Sequence, residues 1–287
     1  MNGKDVDTVM AFLRTVASAV DDDHDSRPAV PVPLTAGESP VETLLPRSLV
    51  NYADVEGRTA LHWALALGNW PMATQLLNAP FCASPWTVDS FRSTPLIAAC
   101  AAKAPVEVLQ LLLSVAALPV PGQQQAAAGG RSGADLLPFL RAQDEAGNTA
   151  LMSAVSRKQM DAVTLLLNAD TVAMETATAA ALTSAGAEPP TAIEPPTMLL
   201  MTNRNGQTVL HRAVGTGSEA LCAALISQCR KLAGRFTKKF VNAQDRSGDT
   251  ALHHAAMENH RELGELLLRN GAERETRNKA GRAFYEV

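Results

Sequence analysis

Residues 245–271, D-R-S-G-D-T-A-L-H-H-A-A-M-E-N-H-R-E-L-G-E-L-L-L-R-N-G, divide into a polar turn, a short helix, a break and a second helix. Gly248 supplies the positive φ that a tight turn demands. The Thr250 hydroxyl stands where it can accept a hydrogen bond from the first free amides of the helix that follows. Leu252, Ala255 and Ala256 then form one apolar stripe, and Leu263, Leu266 and Leu267 form a second, both at helical spacing. The break falls near Asn259 and His260, and Gly271 occupies the place of a left-handed helix stop. A helix pair this short cannot bury both stripes alone. It needs copies of itself on either side.

Four further copies are present, at Asp54–Ala79, Asp89–Leu113, Asp144–Ala169 and Asn203–Ile226, all sharing x-T-x-L-x-x-A in one order. The pattern resembles the ankyrin-repeat family, whose signature is T-P-L-H-x-A on a period of about 33 residues. The resemblance implies a mainly α solenoid of five helix-turn-helix repeats with β-turn or hairpin tips, incomplete repeats at both ends and long inter-repeat inserts. It also implies roles for the motif residues. The threonine (Thr59, Thr94, Thr149, Thr208, Thr250) caps the first helix, and the leucine (Leu61, Leu96, Leu151, Leu210, Leu252) enters the core. The histidine, kept as His62, His211 and His253, hydrogen-bonds between neighbouring turns; Ile97 and Met152 replace it in the middle repeats. The motif proline survives as Pro95 alone. Arg92 stands in the turn-glycine place of the second repeat, where left-handed geometry costs about 1–2 kcal/mol, so an altered turn is expected there. With these departures, the two middle repeats are expected to be the least stable.

The motif threonines lie 35, 55, 59 and 42 residues apart, so three of the four intervals carry extra chain. Each excess falls after a second helix and before the next turn, a site where a loop leaves without breaking helix-on-helix contact and where length costs little. The organisation expected is a capping helix of an incomplete first repeat at 1–20, an acidic and proline-rich linker at 21–46, and a repeat domain at 47–287. Inserts are placed near 114–138, 170–198 and 229–240. The capping reading rests on Lys4–Leu13 (K-D-V-D-T-V-M-A-F-L), in which Lys4, Asp7, Val9 and Leu13 recur at an offset of 154 in Lys158–Leu167; the alternative is a detachable partner-binding helix. The first insert is low-complexity, the second is Ala- and Thr-rich and partly helical before a P-P-T-A-I-E-P-P run, and the third is basic, with Arg230, Lys231, Arg235, Lys238 and Lys239. That basic run reads either as an import signal or acidic-partner patch, or as a solvated helix end whose cations offset the dipole. Asn278–Phe284 resembles the turn and first residues of a further, truncated repeat.

Composition agrees with a stack built from Leu, Ala and Val: hydrophobic residues reach 46% while aromatics are only 4%. A net charge of −4 sets up no global field for nucleic acid or an anionic membrane. Cys82, Cys100, Cys222 and Cys229 show no metal or redox spacing, and Cys100 and Cys222 read as buried helical thiols. No apolar run reaches the roughly 18 residues that span a bilayer. A reduced cytoplasmic or nuclear setting is expected.

No nucleophile motif, phosphate-cradling loop or metal signature is present. His253, His254 and His260 cluster in sequence, but no carboxylate or cysteine completes a ligand set. No enzyme activity, metal or cofactor is therefore expected. The resemblance places recognition beside the turn glycine and at the end of the first helix. In this chain those residues are Val55, Glu56, Arg58, Ala66 and Leu67; Ser90 and Phe91; Glu145, Asn148 and Arg157; Arg204, Asn205, Gln207 and Thr216; and Arg246, Ser247, Asp249, Met257 and Glu258. Leu67, Phe91 and Met257 are the apolar anchors of this set. The function implied is a non-catalytic scaffold or adaptor, monomeric on its own, that binds a protein rather than nucleic acid or membrane. The alternatives are an assembly chaperone of the proteasomal ankyrin type, or a regulatory subunit or inhibitor of an enzyme.

Overall fold

The computed structural model describes residues 50–79, 81–118, 136–184 and 198–287, without the side chains of 178–184, 232, 233 and 235. The capping helix and acidic linker expected within 1–49 lie outside the described residues, as do most of the first insert and the proline-rich end of the second. Five first helices of equal length, α1 (Ala60–Ala66), α3 (Pro95–Ala101), α6 (Ala150–Ser156), α8 (Val209–Gly215) and α11 (Ala251–Met257), pack side by side in one layer. Their partners α2 (Trp70–Leu77), α4 (Val106–Ala116), α7 (Met160–Ser184), α9 (Glu219–Ala233) and α12 (Arg261–Arg269) form the second layer. The core runs between the layers as one continuous cluster, with Leu61, Leu96, Leu151 and Leu210 wholly buried and Leu252 nearly so. Burying such a side chain is worth about 1.5–3 kcal/mol, and each repeat completes the burial of the next.

Every first helix starts at the expected threonine, for one of two reasons. In α3 and α6 the Thr94 and Thr149 hydroxyls accept from the Ile97 and Met152 amides at 3.3 Å. In α1, α8 and α11 a histidine enters the cap. The Nδ1 atoms of His62, His211 and His253 accept from the amides of Thr59, Thr208 and Thr250, and Nε2 reaches the carbonyls of Ser93, Asp249 and Arg282 in the next turn. An Nδ1 that accepts is unprotonated, so these rings are neutral and carry their proton on Nε2. The middle repeats lack this tie and bury Ile97 and Met152 in the same register.

The turns repeat as closely as the helices. Asp54, Asp89, Asp144, Asn203, Asp245 and Asn278 each use a side-chain Oδ1 to accept from the amide four residues on. The Asn278 turn, followed by a single 3-10 turn at Phe284–Glu286, continues the stack beyond α12. Each tip is then tied to the one before: Ser90, Glu145, Arg204, Arg246 and Lys279 donate their amides to Glu56, Phe91, Ala146, Asn205 and Ser247 at 2.7–2.9 Å.

The altered turn expected at Arg92 is not found. Arg92 adopts φ +58, its amide bonds Asp89 at 2.9 Å, and Asp89 in turn bonds the Ser93 carbonyl, as in the glycine turns. The tip-to-tip bonds and the Asp89 carboxylate over-determine the turn, and they offset a left-handed penalty of about 1–2 kcal/mol instead of releasing it. Lys103, Lys158 and Asn259 likewise hold positive φ at the helix-to-helix break, where the other repeats have Gly68 and Gly217.

Extra chain leaves and re-enters at the outer end of the second helices. The second insert begins as a continuation of α7, which runs unbroken to Ser184. The chain returns through α5 (Leu137–Leu140) after the first insert and through a 3-10 turn at Met198–Leu200 after the second. Both returns are pinned to Asp170 on α7, which lies 3.4 Å from the Arg141 guanidinium and accepts from the Met198 amide at 3.2 Å. Buried Phe139 adds a tilted ring contact to Trp86. The basic third insert forms the end of α9, a 3-10 turn and α10 (Thr237–Val241), with Phe240 and Val241 in the core.

Candidate functional site

The inner face of the stack is made by the tips and the exposed side of the first helices, both held on rigid elements. Across the stack, positions equivalent to Thr59 plus four, seven and eight are the ones left facing outward. They read Trp63, Ala66 and Leu67 in the first repeat and His254, Met257 and Glu258 in the last. Leu67 is 63% exposed, Met257 49% and Phe91 48%, so all three expected anchors are available to a partner. Val55 is also exposed, at the first tip.

The remaining candidates divide by what already holds them. Ala66, Ser90, Asn205, Arg246, Ser247, Arg157 and Glu258 are exposed, and Thr216 is half-buried. Glu56 and Arg58 form an ion pair at 3.0 Å, and Glu145 lies 3.8 Å from Arg204. Asn148 and Gln207 are half-buried and share Asn203 Nδ2, so they bind the third tip to the fourth. Asp249 does not belong to the surface. It is buried, its carboxylate accepts from Asn278 Nδ2 at 2.7 Å and its carbonyl accepts from His211 Nε2. At the equivalent place in the other tips, Arg58, Ser93, Asn148 and Gln207 are half-buried and Arg282 is exposed.

Two residues of this face, Trp63 and Arg212, were not singled out in the sequence. Arg58 is stacked between aromatic rings, its guanidinium carbon 5.0 Å from the Trp63 centroid and 5.6 Å from that of Phe91. Trp63 Nε1 donates to Asp54 at 2.8 Å. Burial works against the Asp54 charge, but the Trp63 bond and the Arg58 and Glu56 amides outweigh it and hold the carboxyl below its usual range. The other is Arg212, at the register of Trp63 and His254 on α8, which is half-buried with Nε unpartnered. A register count from Thr208 would have found it.

The histidines act as structural ties. Burial, with a smaller repulsion from His254, lowers the His211 pKa to about 4, and burial also lowers that of His62. His254 leaves its neighbour's ring edge-on and bonds Asp245 Oδ2 at 3.0 Å, while the His260 ring lies against Gly217. Cys100 and Cys222 are fully buried, and desolvation pushes both thiols up to about 12, far from any reactive thiolate. Among the described residues, no three His, Cys, Asp or Glu side chains converge as metal ligands, and no helix is long and apolar enough to cross a membrane.

Two family models match the chain. One, described as ankyrin repeat, covers residues 56–89 and 146–175; the other, described as ankyrin repeats (3 copies), covers 191–278. Together they span just over half of the sequence. Among solved structures, the ankyrin repeat domain of Bcl-3, described as a unique member of the IkappaB protein family, aligns with 83% of this chain and 80% of its own. The TM-score is 0.54 at 24% identity, which is a likeness of fold. No curated protein sequence matches this chain.

Proposed function

The chain belongs to the ankyrin-repeat family, and we propose that it is a non-catalytic adaptor or scaffold that captures a partner protein on its inner face. The observation that carries this reading is the exposure of Leu67, Phe91 and Met257 on one surface, among charged and polar tips. Large apolar side chains on rigid helix ends lose little conformational entropy when a partner covers them, and a polar rim then excludes water around them. The tip-to-tip backbone bonds support the same reading, because they hold the surface in its binding geometry before any partner arrives.

The test is affinity purification of the full chain from its own cells, with mass spectrometry, against Leu67→Arg combined with Met257→Glu. Both positions are exposed, so the helical circular dichroism should stay unchanged while the captured partners are lost. Capture that persists with the double substitution would refute the inner-face site.

A further inference from the structure

The second residue of each tip changes character along the stack: Val55, Ser90 and Glu145, then Arg204, Arg246 and Lys279. The last three amides bond the preceding tip at 2.9 Å each, so their side chains recur once per repeat in strict register. Neighbouring helices pack about 8–10 Å apart, which sets the spacing of these cations. The carboxylates that would neutralise them are committed elsewhere. Asp144 and Asp245 each give Oδ1 to a turn amide, Asp245 gives Oδ2 to His254, and Asp249 is buried against Asn278. Glu145, at 3.8 Å from Arg204 and largely exposed, and Glu258, exposed at the end of α11, are the exceptions. Among the described residues Arg246 and Lys279 make no ion pair. Nor does Arg212, which lies on the helix wall between these tips with Nε out of water and unbonded.

From this arrangement we infer that the C-terminal half of the inner face is a docking strip for an acidic, extended segment of the partner protein. The inference rests on the reading of the inner face as a protein-binding surface, and it names the partner's chemistry. A polyproline-II chain has three residues per turn and rises about 3.1 Å per residue, so every third side chain points the same way about 9 Å further on. Asp or Glu at every third position therefore meets Arg204, Arg246 and Lys279 in turn. Arg212, set back from the tips, adds a half-buried guanidinium whose Nε is unbonded, a further charge for a carboxylate reaching inward. Single-stranded nucleic acid fits less well. Such sites interleave cations with aromatic stacking platforms, and the residues following these three cations are Asn205, Ser247 and Ala280. The tip aromatic, Phe91, sits at the other end and is already stacked with Arg58.

The test uses the full chain and three fluorescein-labelled probes at low salt: a peptide of repeated Glu-Pro-Pro triplets, its Gln-Pro-Pro counterpart, and oligo-uridine. The glutamate peptide should bind roughly tenfold or more tightly than the glutamine peptide, and this preference should collapse in Arg212→Gln combined with Arg246→Glu. Lys231→Glu, in the basic segment on α9, should leave binding within about twofold. Equal binding of the two peptides, no binding of either, tighter binding of oligo-uridine, or an equal loss with Lys231→Glu would each overturn the strip. Cellular partners lost with Leu67→Arg and Met257→Glu but retained with the Arg212 and Arg246 pair would sink this inference alone. Retention with both pairs would sink the inner-face reading as well.

Discussion

Acidification should loosen this stack through His211, by an amount that follows from its burial. The ring is neutral, with Nδ1 accepting from the Thr208 amide and Nε2 donating to Asp249. Protonating Nδ1 would set two donors against each other in a site that water does not reach. Burial and the neighbouring His254 hold the folded-state pKa at about 4, below the ordinary imidazole value of 6.5. A histidine depressed on folding contributes its full stability above the unfolded pKa. It loses that stability as pH falls, because the unfolded chain takes up the proton first. At 1.36 kcal/mol per pKa unit, the loss between pH 7 and pH 5 is about 2 kcal/mol, and it levels off below about pH 4. Urea unfolding followed by circular dichroism at the two pH values should show it as a fall in midpoint with an unchanged slope. The control is His211→Gln, since glutamine is at home in the third position of a capping box and does not titrate. The variant starts less stable at pH 7, having lost the tie to Asp249, but its stability should fall about 2 kcal/mol less than that of the wild type between pH 7 and pH 5. Any fall due to His62 remains in both proteins and cancels. Identical pH dependence in the two proteins would refute the assignment of a buried neutral ring.

The other predictions concern turns and the insert returns, and all are read by the same unfolding assay. A Cβ at Gly147 would lie 2.8 Å from the Arg204 amide nitrogen, whereas one at Gly57 meets the next tip at 3.2 Å; both glycines hold left-handed φ. Gly147→Ala should therefore cost about 2–3 kcal/mol and Gly57→Ala about 1–2 kcal/mol, and equal costs would remove the contact argument. Arg92→Gly should raise stability by about 0.5–1 kcal/mol, the relieved left-handed strain exceeding the extra freedom of the unfolded glycine; a loss would mean that Arg92 is not strained. Asp170→Ala leaves Arg141 and the Met198 amide without their acceptor and should cost about 3 kcal/mol. Burial first of all raises the Asp170 pKa, so its ionised form is disfavoured in the folded chain and part of that penalty is relieved as pH falls through the folded pKa. Asp170→Asn, which keeps an acceptor, should cost clearly less than the alanine substitution. Equal losses would mean that the ion pair rather than the hydrogen bonds holds the inserts.

What the chain determined by itself is the repeating unit, because everything that makes it lies within about 33 residues of sequence. The Asp or Asn that folds the tip, the threonine that caps the first helix, the apolar stripes and the histidine tie are local contacts or contacts to the next identical unit. Exposure of Leu67, Phe91 and Met257 followed from the same register. The tertiary structure decided whatever depends on the particular neighbour. Arg92 keeps a glycine conformation because bonds from the preceding turn Asp and from the next tip hold it there. Asp249 left the surface because the next turn supplied Asn278. Asp170 became the anchor of two returning segments because α7 ran on past its repeat. Arg212 keeps an unbonded Nε because the neighbouring units bring no acceptor to it. A one-repeat pattern carries no information about which charge faces which across the stack, and the pairing of charges is settled only when the units are laid against one another.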